Sequence, residues 1–201
     1  MNNKSVVIIG KGPSVLECKR EWIERFEEVA ICNHVVFPGF EDKIGDRADY
    51  WFRNWDCQSY TEAQARALGL KKVVNIIPEE SRGVLLFRDR FPAYLEYEHF
   101  NILPWFEEIH GSNPPTGLRA IEYFIRKGYK TIGLTGLDMY QLGEKTYYFD
   151  RDKIQTKAIP HSDIHAKKYL GGLIENHPDI SFQVESPRLK ELMGMEGGLG
   201  E

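Results

Sequence analysis

The sequence predicts an α/β fold, namely a single Rossmann-like domain with a mostly parallel sheet flanked by helices on both faces. One observation is a set of short apolar runs, rich in β-branched residues, that lack a polar face and are therefore typical of buried parallel strands. Another is that helical patterns separate these runs, which favours βαβ units over hairpins. The predicted strands are residues 4–10, 29–33, 48–54, 71–77, 131–135 and 181–185.

Capping residues mark the ends of two of the predicted helices. Thr61 is placed to cap a helix rich in alanine and glutamine, because its hydroxyl can accept a hydrogen bond from the first turn. Gly128 follows the last apolar residue of another helix, which is the usual position of a terminating glycine. The predicted helices are residues 14–26, 61–70, 117–127, 162–177 and 187–193.

Two long stretches lack a clean period. Residues 79–113 are rich in aromatic side chains and contain two prolines, so we expect short helices and a loop that covers the sheet. Residues 136–161 are predicted to form a polar, tyrosine-rich loop. Because no internal repeat or linker is visible, residues 1–193 are expected to form one domain, and the glycine-rich residues 194–201 a flexible tail.

Composition limits the class of protein without giving its function. The net charge is −4 and 28% of the residues are charged, so the basic excess of a nucleic-acid-binding protein is missing. No apolar run approaches the roughly 18 residues that span a bilayer, and the polar start is unlike a signal peptide. We therefore expect no integral membrane segment and a cytoplasmic location. The three cysteines have no CxxC spacing, which favours buried, reduced thiols.

A glycine-rich turn follows the first predicted strand, where ligands of such folds bind. In the turn GKGPS the glycines let the backbone approach a ligand, and Lys11 can face a phosphate. Ser14 can cap the next helix and leave its N–H groups available to that phosphate. Val15 stands where a dinucleotide fingerprint has its third glycine, which disfavours NAD; a tight turn without a ligand is the alternative. The candidate nucleotide-binding residues here are Gly10, Lys11, Gly12 and Ser14.

Polar residues also follow other strands at the same predicted edge of the sheet. Asn33 and Asn54 each end a strand, and an amide can both donate to and accept from a nucleobase or ribose, although asparagine is also a common turn residue. Thr116 and Gly117 begin a helix, where a hydroxyl and unpaired N–H groups suit the carboxylate of an acidic sugar. The alternative for Thr116 is a simple helix cap.

The tyrosine-rich loop and the segment after it contain candidate catalytic residues. Asp138 and Tyr140 directly follow the strand 131–135, and Tyr147 comes later in the same loop. Phenolic hydroxyls that donate to a leaving phosphate would stabilise its charge, whereas packing of the aromatic rings on the sheet is the alternative. His161 precedes a predicted helix and is either a general base or a helix-capping residue.

Two spacings are candidates for metal sites. His161 and His165 lie four residues apart, and Asp150 and Asp152 form the D-x-D pattern by which many sugar transferases hold a divalent ion. Neither pair comes with the rest of a ligand set. The sequence therefore predicts no metal site and no cofactor.

Taken in order, these motifs resemble those of the bacterial sialyltransferases of glycosyltransferase family 42 and, more faintly, the animal enzymes of family 29. The turn GKGPS is similar to the family's G-N-G-P-S, with Lys11 in place of the asparagine, and Cys32-Asn33 to its C-N. Residues 128–141 resemble G-Y-K-x-I-x-L-S-G-I-D-F-Y-Q. Residues 147–150 are similar to Y-A-F-D, and His161-Ser162 to the catalytic H-S.

The resemblance implies a metal-independent, inverting transfer from a CMP-activated sialic acid, or a related acidic sugar, to a glycan acceptor. His161 would take the proton of the acceptor hydroxyl, while Tyr140 and Tyr147 would stabilise the departing phosphate. Asn33 and Asn54 would hold the cytidine and ribose. The remaining assignments place Gly10, Gly12 and Ser14 along the nucleotide cleft, and Thr116 and Gly117 at the carboxylate of the donor sugar.

Other functions stay open at this point. The opening turn also resembles that of archaeal pterin diphosphokinases, which use ATP and Mg²⁺. A catalytically silent nucleotide-binding module is the third interpretation. Members of the sialyltransferase family often assemble as homo-oligomers, which leaves a homo-oligomer open here as well.

Overall fold

A seven-stranded sheet, parallel throughout, forms the centre of the structure. The computed structural model describes residues 4–54, 60–76, 91–100, 115–138, 145–154 and 163–194. In these ranges the strands are β1 (Ser5–Ile9), β2 (Glu28–Cys32), β3 (Tyr50–Arg53), β4 (Lys72–Asn75), β5 (Glu96–His99), β6 (Thr131–Thr135), β7 (Lys145–Tyr147), β8 (Asp150–Ile154) and β9 (Ser181–Val184). The sheet has the order β5-β4-β3-β2-β1-β6-β9, and β7 and β8 form a separate antiparallel pair.

The central strands are buried on both faces. Along β1, Val6 and Ile8 belong to one core cluster and Val7 and Ile9 to the other, and all are fully buried. Successive side chains of a strand point to opposite faces, so a strand without a polar position requires a cover on each side. This confirms the interpretation of the apolar runs as buried parallel strands.

Helices pack on both faces of the sheet. The described helices are α1 (Arg20–Ile23), α2 (Glu41–Ile44), α3 (Glu62–Ala67), α4 (Thr116–Arg126), α5 (Asp163–Asn176) and α6 (Pro187–Leu192), with a 3-10 helix at Pro13–Glu17. Leu118, Ile121 and Phe124 of α4 pack on one face of the sheet. Trp22 and Ile23 of α1 pack on the other, so the predicted Rossmann-like α/β fold is confirmed.

The predicted capping residues are found at both helix ends. Thr61 accepts a hydrogen bond from the amide of Gln64 at 3.3 Å, and the Gln64 side chain accepts one from the Thr61 amide at 2.9 Å, which completes a capping box. Gly128 follows α4 with a φ of 80°, a left-handed conformation that favours glycine.

The helix predicted over residues 14–26 is wrong as a continuous element. A 3-10 helix covers Pro13–Glu17, and only four residues of α1 follow it. Cys18 and Lys19 between them are extended, with ψ angles of 161° and 144°. The fully buried Cys18 side chain places its sulfur 2.9 Å from Thr135 Oγ1 at the end of β6. Tertiary packing therefore prevails over the local helical pattern.

Strands were missed in the two stretches without a clean period. Strand β5 lies within the range expected to hold short helices and a loop, and it is one of the two edge strands of the sheet. Its sequence, Glu-Tyr-Glu-His, lacks the two-faced apolar character that predicts strands at residues 4–10 and 71–77. The hairpin β7–β8 lies within the predicted tyrosine-rich loop. Nowhere in the described ranges is a helix both long and apolar enough to cross a bilayer.

Candidate active site

An open cleft lies at the carboxyl end of the sheet, where β1 and β6 are neighbours. The order of the sheet reverses between these strands, because the chain continues from β1 through β2 to β5 on one side and from β6 to β9 on the other. Ligands of open α/β sheets bind at such a reversal. Of the residues selected from the sequence, those that line the cleft are Gly10, Lys11, Gly12, Asn33, Thr116, Gly117, Asp138 and Tyr147.

The two glycines of the first turn permit a very close approach of two chain segments. The amide of Gly10 donates to the carbonyl of Thr135, and the amide of Gly12 to that of Gly136, each at 2.8 Å. A Cβ at Gly10 would lie 2.1 Å from the carbonyl oxygen of Gly136, and one at Gly12 would lie 1.8 Å from Oδ2 of Asp138. The turn after β1 and the turn after β6 therefore form one compact wall that excludes larger residues at these positions.

Ser14 does not take the place predicted for it. It lies inside a 3-10 helix whose N-cap is Gly12, is fully buried, and is not among the residues that line the cleft. Its amide and hydroxyl donate to Asp138 Oδ2 at 3.0 and 3.1 Å, and its hydroxyl accepts from the Gly136 amide at 2.9 Å. The prediction that Ser14 caps the helix and leaves N–H groups for a phosphate is therefore corrected: Ser14 holds Asp138 in position.

Asp138 is an acidic residue in the wall of the cleft. Only 6% of its surface is exposed, and burial raises the pKa of its carboxyl group, partly offset by the two hydrogen bonds from Ser14 and by the charge of Arg188. Its Oδ1 atom is buried and accepts no hydrogen bond from the described residues. The guanidinium of Arg188 lies 3.7 Å from that oxygen.

An amide and hydroxyl cluster occupies the side of the cleft near β2 and β3. Asn33 Nδ2 donates to Thr116 Oγ1 at 3.1 Å, and Asn54 Nδ2 lies 3.5 Å from the same hydroxyl. The Asn54 amide donates to Asn33 Oδ1 at 3.3 Å, while Asn54 itself does not line the cleft. Thr116 is the first residue of α4, after the N-cap Pro115, so the alternative that it caps the helix is wrong. Its hydroxyl binds Asn33 instead.

The hairpin β7–β8 places one tyrosine in the cleft and the next in the core. Tyr147 lines the cleft, and the ammonium of Lys11 lies 4.3 Å from the centre of its ring. Tyr148 is 2% exposed, and its hydroxyl accepts from the Val36 amide at 2.9 Å. Burial in the core therefore applies to Tyr148, whereas the ring of Tyr147 stacks on Phe149 and still lines the cleft.

Basic groups outnumber acidic ones along the cleft. Among the described residues, Lys11, Lys145 and Arg188 line it beside a single acidic residue, Asp138. Such a wall attracts an anionic ligand. Next to it, burial and the charge of Lys11 lower the pKa of His34.

Sequence reasoning missed two of these cations. Lys145 lies in the hairpin that was predicted as a loop. Arg188 lies in α6, directly after the last strand of the sheet. Its place after the carboxyl end of a predicted strand was the only sign in the sequence that it could reach the ligand.

Several predicted residues fall outside the described part of the chain. Tyr140 and His161 are among them, as is Cys57. The side chains of Asp152 and His165, which entered the two metal hypotheses, are also outside it. Among the side chains the structure describes, no three His, Cys, Asp or Glu residues converge as metal ligands do.

Comparison with solved structures gives matches over nearly the whole chain. The sialyltransferase CstII from Campylobacter jejuni, in complex with cytidine-5'-monophosphate, matches with a TM-score of 0.69 and 24% identity, covering 98% of this chain and 87% of that one. The monofunctional α-2,3-sialyltransferase Cst-I from the same organism matches with a TM-score of 0.68 and 21% identity over 92% of this chain and 77% of that one.

A mammalian sialyltransferase matches more distantly, with a TM-score of 0.58 and 12% identity over 90% of this chain and 68% of that one. No protein-family model matches the chain, and no curated protein is similar to it in sequence. The chain therefore has the fold of sialyltransferases, in agreement with the resemblance of its motifs.

Proposed function

We propose that this protein transfers an acidic sugar from a CMP-activated donor, such as CMP-sialic acid, to a glycan acceptor. The observation that carries the proposal is the convergence of motifs from four separate parts of the chain on one cleft. The first turn, Asn33, the start of α4, and Asp138 together with Tyr147 all contribute to it. Solved structures of the same fold include one with both CMP and a trisaccharide acceptor, which supports this choice of substrate class.

Lys11 and Tyr147 are suited to the phosphate of the donor. Transfer breaks the bond between the anomeric carbon and a phosphate oxygen, so negative charge develops on the departing CMP. The Tyr147 hydroxyl would donate a hydrogen bond to that oxygen, and the nearby ammonium of Lys11 would stabilise its charge. By the resemblance of the motifs, Tyr140 would add a second phenolic donor.

The cluster around Thr116 is suited to the sugar. The amides of Thr116 and Gly117 come before the first hydrogen bonds of α4, in which Leu118 and Arg119 donate to the Pro115 carbonyl. The helix dipole adds to the attraction of these two amides for a carboxylate. Because Asn33 and Asn54 are hydrogen-bonded to Thr116, these three residues act on the same part of the donor. We therefore assign Asn33 and Thr116 to the sugar, in place of the cytidine and ribose that the resemblance implies for Asn33, and Asn54 to positioning them from outside the cleft. The cytidine is then placed on the opposite side, beside Gly12 and Asp138.

His161 is proposed as the general base. It would accept the proton of the acceptor hydroxyl while the hydroxyl oxygen attacks the anomeric carbon from the face opposite the phosphate, which inverts the configuration. Stabilisation of the phosphate by phenols and by Lys11 makes a divalent ion unnecessary in this scheme.

Release of CMP from CMP-sialic acid, measured with and without EDTA, tests the proposal. We expect release in both conditions and a decrease of about 10²-fold or more in His161→Ala. His177→Ala, which alters a half-buried histidine after α5, is the matched control and should retain the activity. A protein that neither releases nor binds CMP would overturn the proposal, and loss of activity in EDTA would overturn its metal-independent part.

A further inference from the structure

Arg188 reaches the cleft from a helix whose start is firmly anchored. Ser186 caps α6, with its hydroxyl accepting from the Leu189 amide at 3.1 Å and donating to the carboxylate of Glu17. The Arg188 amide lies 3.4 Å from the same carboxylate, and both Ser186 and Leu189 are fully buried. The backbone of Arg188 is therefore fixed beside the first turn, and its side chain extends along the wall of the cleft.

Asp138 faces Arg188 with one carboxylate oxygen that is within ion-pair distance of the guanidinium but accepts no hydrogen bond from the described residues. Oδ2 is held by Ser14, whereas Oδ1 is buried and accepts no hydrogen bond from the described part of the chain. The 3.7 Å between Oδ1 and Nε of Arg188 exceeds a hydrogen bond. A buried acceptor that is left unsatisfied is costly, so an arrangement of this kind indicates a ligand that donates to it.

The two groups have fixed and opposite hydrogen-bonding characters. An ionised carboxylate only accepts, and a guanidinium only donates. The edge of cytosine carries an amino donor at C4 next to the acceptor N3, whereas uracil presents an acceptor at O4 and a donor at N3. A carboxylate beside a guanidinium therefore complements cytosine and opposes uracil.

We propose that Asp138 and Arg188 together bind the base of the nucleotide and select cytosine over uracil. The inference rests on the proposed function, in which a cytidine nucleotide lies on this side of the cleft. Asp138 Oδ1 accepts from the 4-amino group, and the Arg188 guanidinium donates to N3. Ser14 contributes indirectly, because its two hydrogen bonds orient the carboxylate.

A ribose diol offers the same chemistry, since one hydroxyl donates and its neighbour accepts. The experiment therefore compares CMP, UMP and 2′-deoxy-CMP by isothermal titration calorimetry. The proteins are the wild type, Arg188→Met, Asp138→Asn and Lys190→Met. Lys190 lies on the same helix but does not line the cleft, so its replacement controls for the loss of a positive charge.

The wild type is expected to bind CMP at least about 10-fold more tightly than UMP. In Arg188→Met and Asp138→Asn, the affinity for CMP should fall by about 5- to 150-fold, while the affinity for UMP changes little. The preference for CMP over UMP is then lost. Lys190→Met should keep the preference. Thermal unfolding of each variant verifies that it remains folded.

Three results would overturn the inference and leave the proposed function standing. They are a wild type that binds CMP without preferring it to UMP, variants that lose CMP and UMP affinity equally, and variants that lose only the discrimination against 2′-deoxy-CMP, which would assign the pair to the ribose. A wild type that binds none of the three nucleotides would overturn the proposed function together with the inference.

Discussion

The cleft has two walls of different construction. The sheet wall consists of the turns that follow β1 and β6, residues 10–12 and 136–138, and the hairpin wall consists of residues 145–147. In the sheet wall, the carbonyls of Thr135 and Gly136 bind the opposite turn directly. The hairpin wall is attached mainly through the adjacent Tyr148, whose amide donates to the carbonyl of Lys11 at 3.0 Å and whose ring packs against Phe40.

Because the two walls are built differently, we expect substitutions in one to affect stability and substitutions in the other to affect catalysis. The glycines of the sheet wall let the two turns pack closely, so a change at one of these glycines acts first on stability. The hairpin wall alternates side chains between the core and the cleft, with Tyr148 buried and Tyr147 beside the ligand space. A change in Tyr147 can therefore alter the chemistry without altering the fold.

The largest effect is expected for Gly10→Ala. The new Cβ would lie 2.1 Å from a backbone oxygen of Gly136, which cannot move without separating β1 from β6. We expect the free energy of unfolding to decrease by at least about 3 kcal/mol, measured by urea denaturation. Gly171→Ala in α5 is the control, because a Cβ there meets nothing within 4 Å.

That control should raise the free energy of unfolding by about 0.5–1 kcal/mol, since alanine is favoured over glycine within a helix. Equal, small changes in both variants would show that the two turns are not packed as described.

Tyr147→Phe should separate chemistry from stability in the hairpin wall. Removing the hydroxyl should lower kcat for CMP release by about 10²-fold, with little change in the melting temperature. Tyr148→Phe is the matched control, and it should lower the melting temperature and retain most of kcat, because its hydroxyl binds Val36 in the interior. Steady-state kinetics and thermal unfolding of both variants provide the measurements, and the opposite pattern would exchange the roles of the two tyrosines.

Lys11→Asn should have a moderate effect at the junction of the two walls. Loss of the ammonium above the Tyr147 ring removes a positive charge from the proposed phosphate site. The KM for CMP-sialic acid is expected to rise by about 10-fold, and its dependence on salt concentration should become weaker. Lys43→Asn changes a lysine paired with Asp42 on the surface and should leave KM unaltered. Unaltered kinetics in Lys11→Asn would remove this lysine from the phosphate site.

The smallest effect concerns Cys18, which packs behind the sheet wall. Burial raises the pKa of its thiol from 9.0 to about 11. Because the folded state then holds the proton more tightly than the unfolded chain, this stabilising contribution is complete below about pH 9 and decreases as the pH rises towards about 11. At about pH 10 the loss is about 1 kcal/mol.

Urea denaturation at several pH values compares the wild type with Cys18→Ala. The variant should start less stable at neutral pH and lose about 1 kcal/mol less over this interval. Parallel pH profiles would show that the thiol titrates normally in the folded protein.

The sequence predicted the parts of this structure that depend on local rules. Apolar runs gave the buried strands, and Thr61 and Gly128 gave helix ends, because capping involves only neighbouring residues. The hairpin was missed, since its anchoring depends on contacts between Tyr148 and Val36 that are distant in the chain. Ser14 was misassigned for a similar reason: its partner Asp138 lies 124 residues away.

The candidate site likewise combines residues that local rules predict with residues whose position depends on distant contacts. The end of each parallel strand marks the ligand edge, so Gly10, Asn33 and Asp138 could be found from strand ends alone. The contribution of Arg188 depends on how α6 is anchored through Ser186 and Glu17, which no sequence period encodes.

A crystal structure of the protein with CMP tests the central claim most directly. We predict that the nucleotide occupies the cleft between β1 and β6, with its phosphate within hydrogen-bonding distance of the Tyr147 hydroxyl and its cytosine beside Asp138. Crystals soaked in millimolar CMP that show an empty cleft, or the phosphate on another surface of the molecule, would contradict the account.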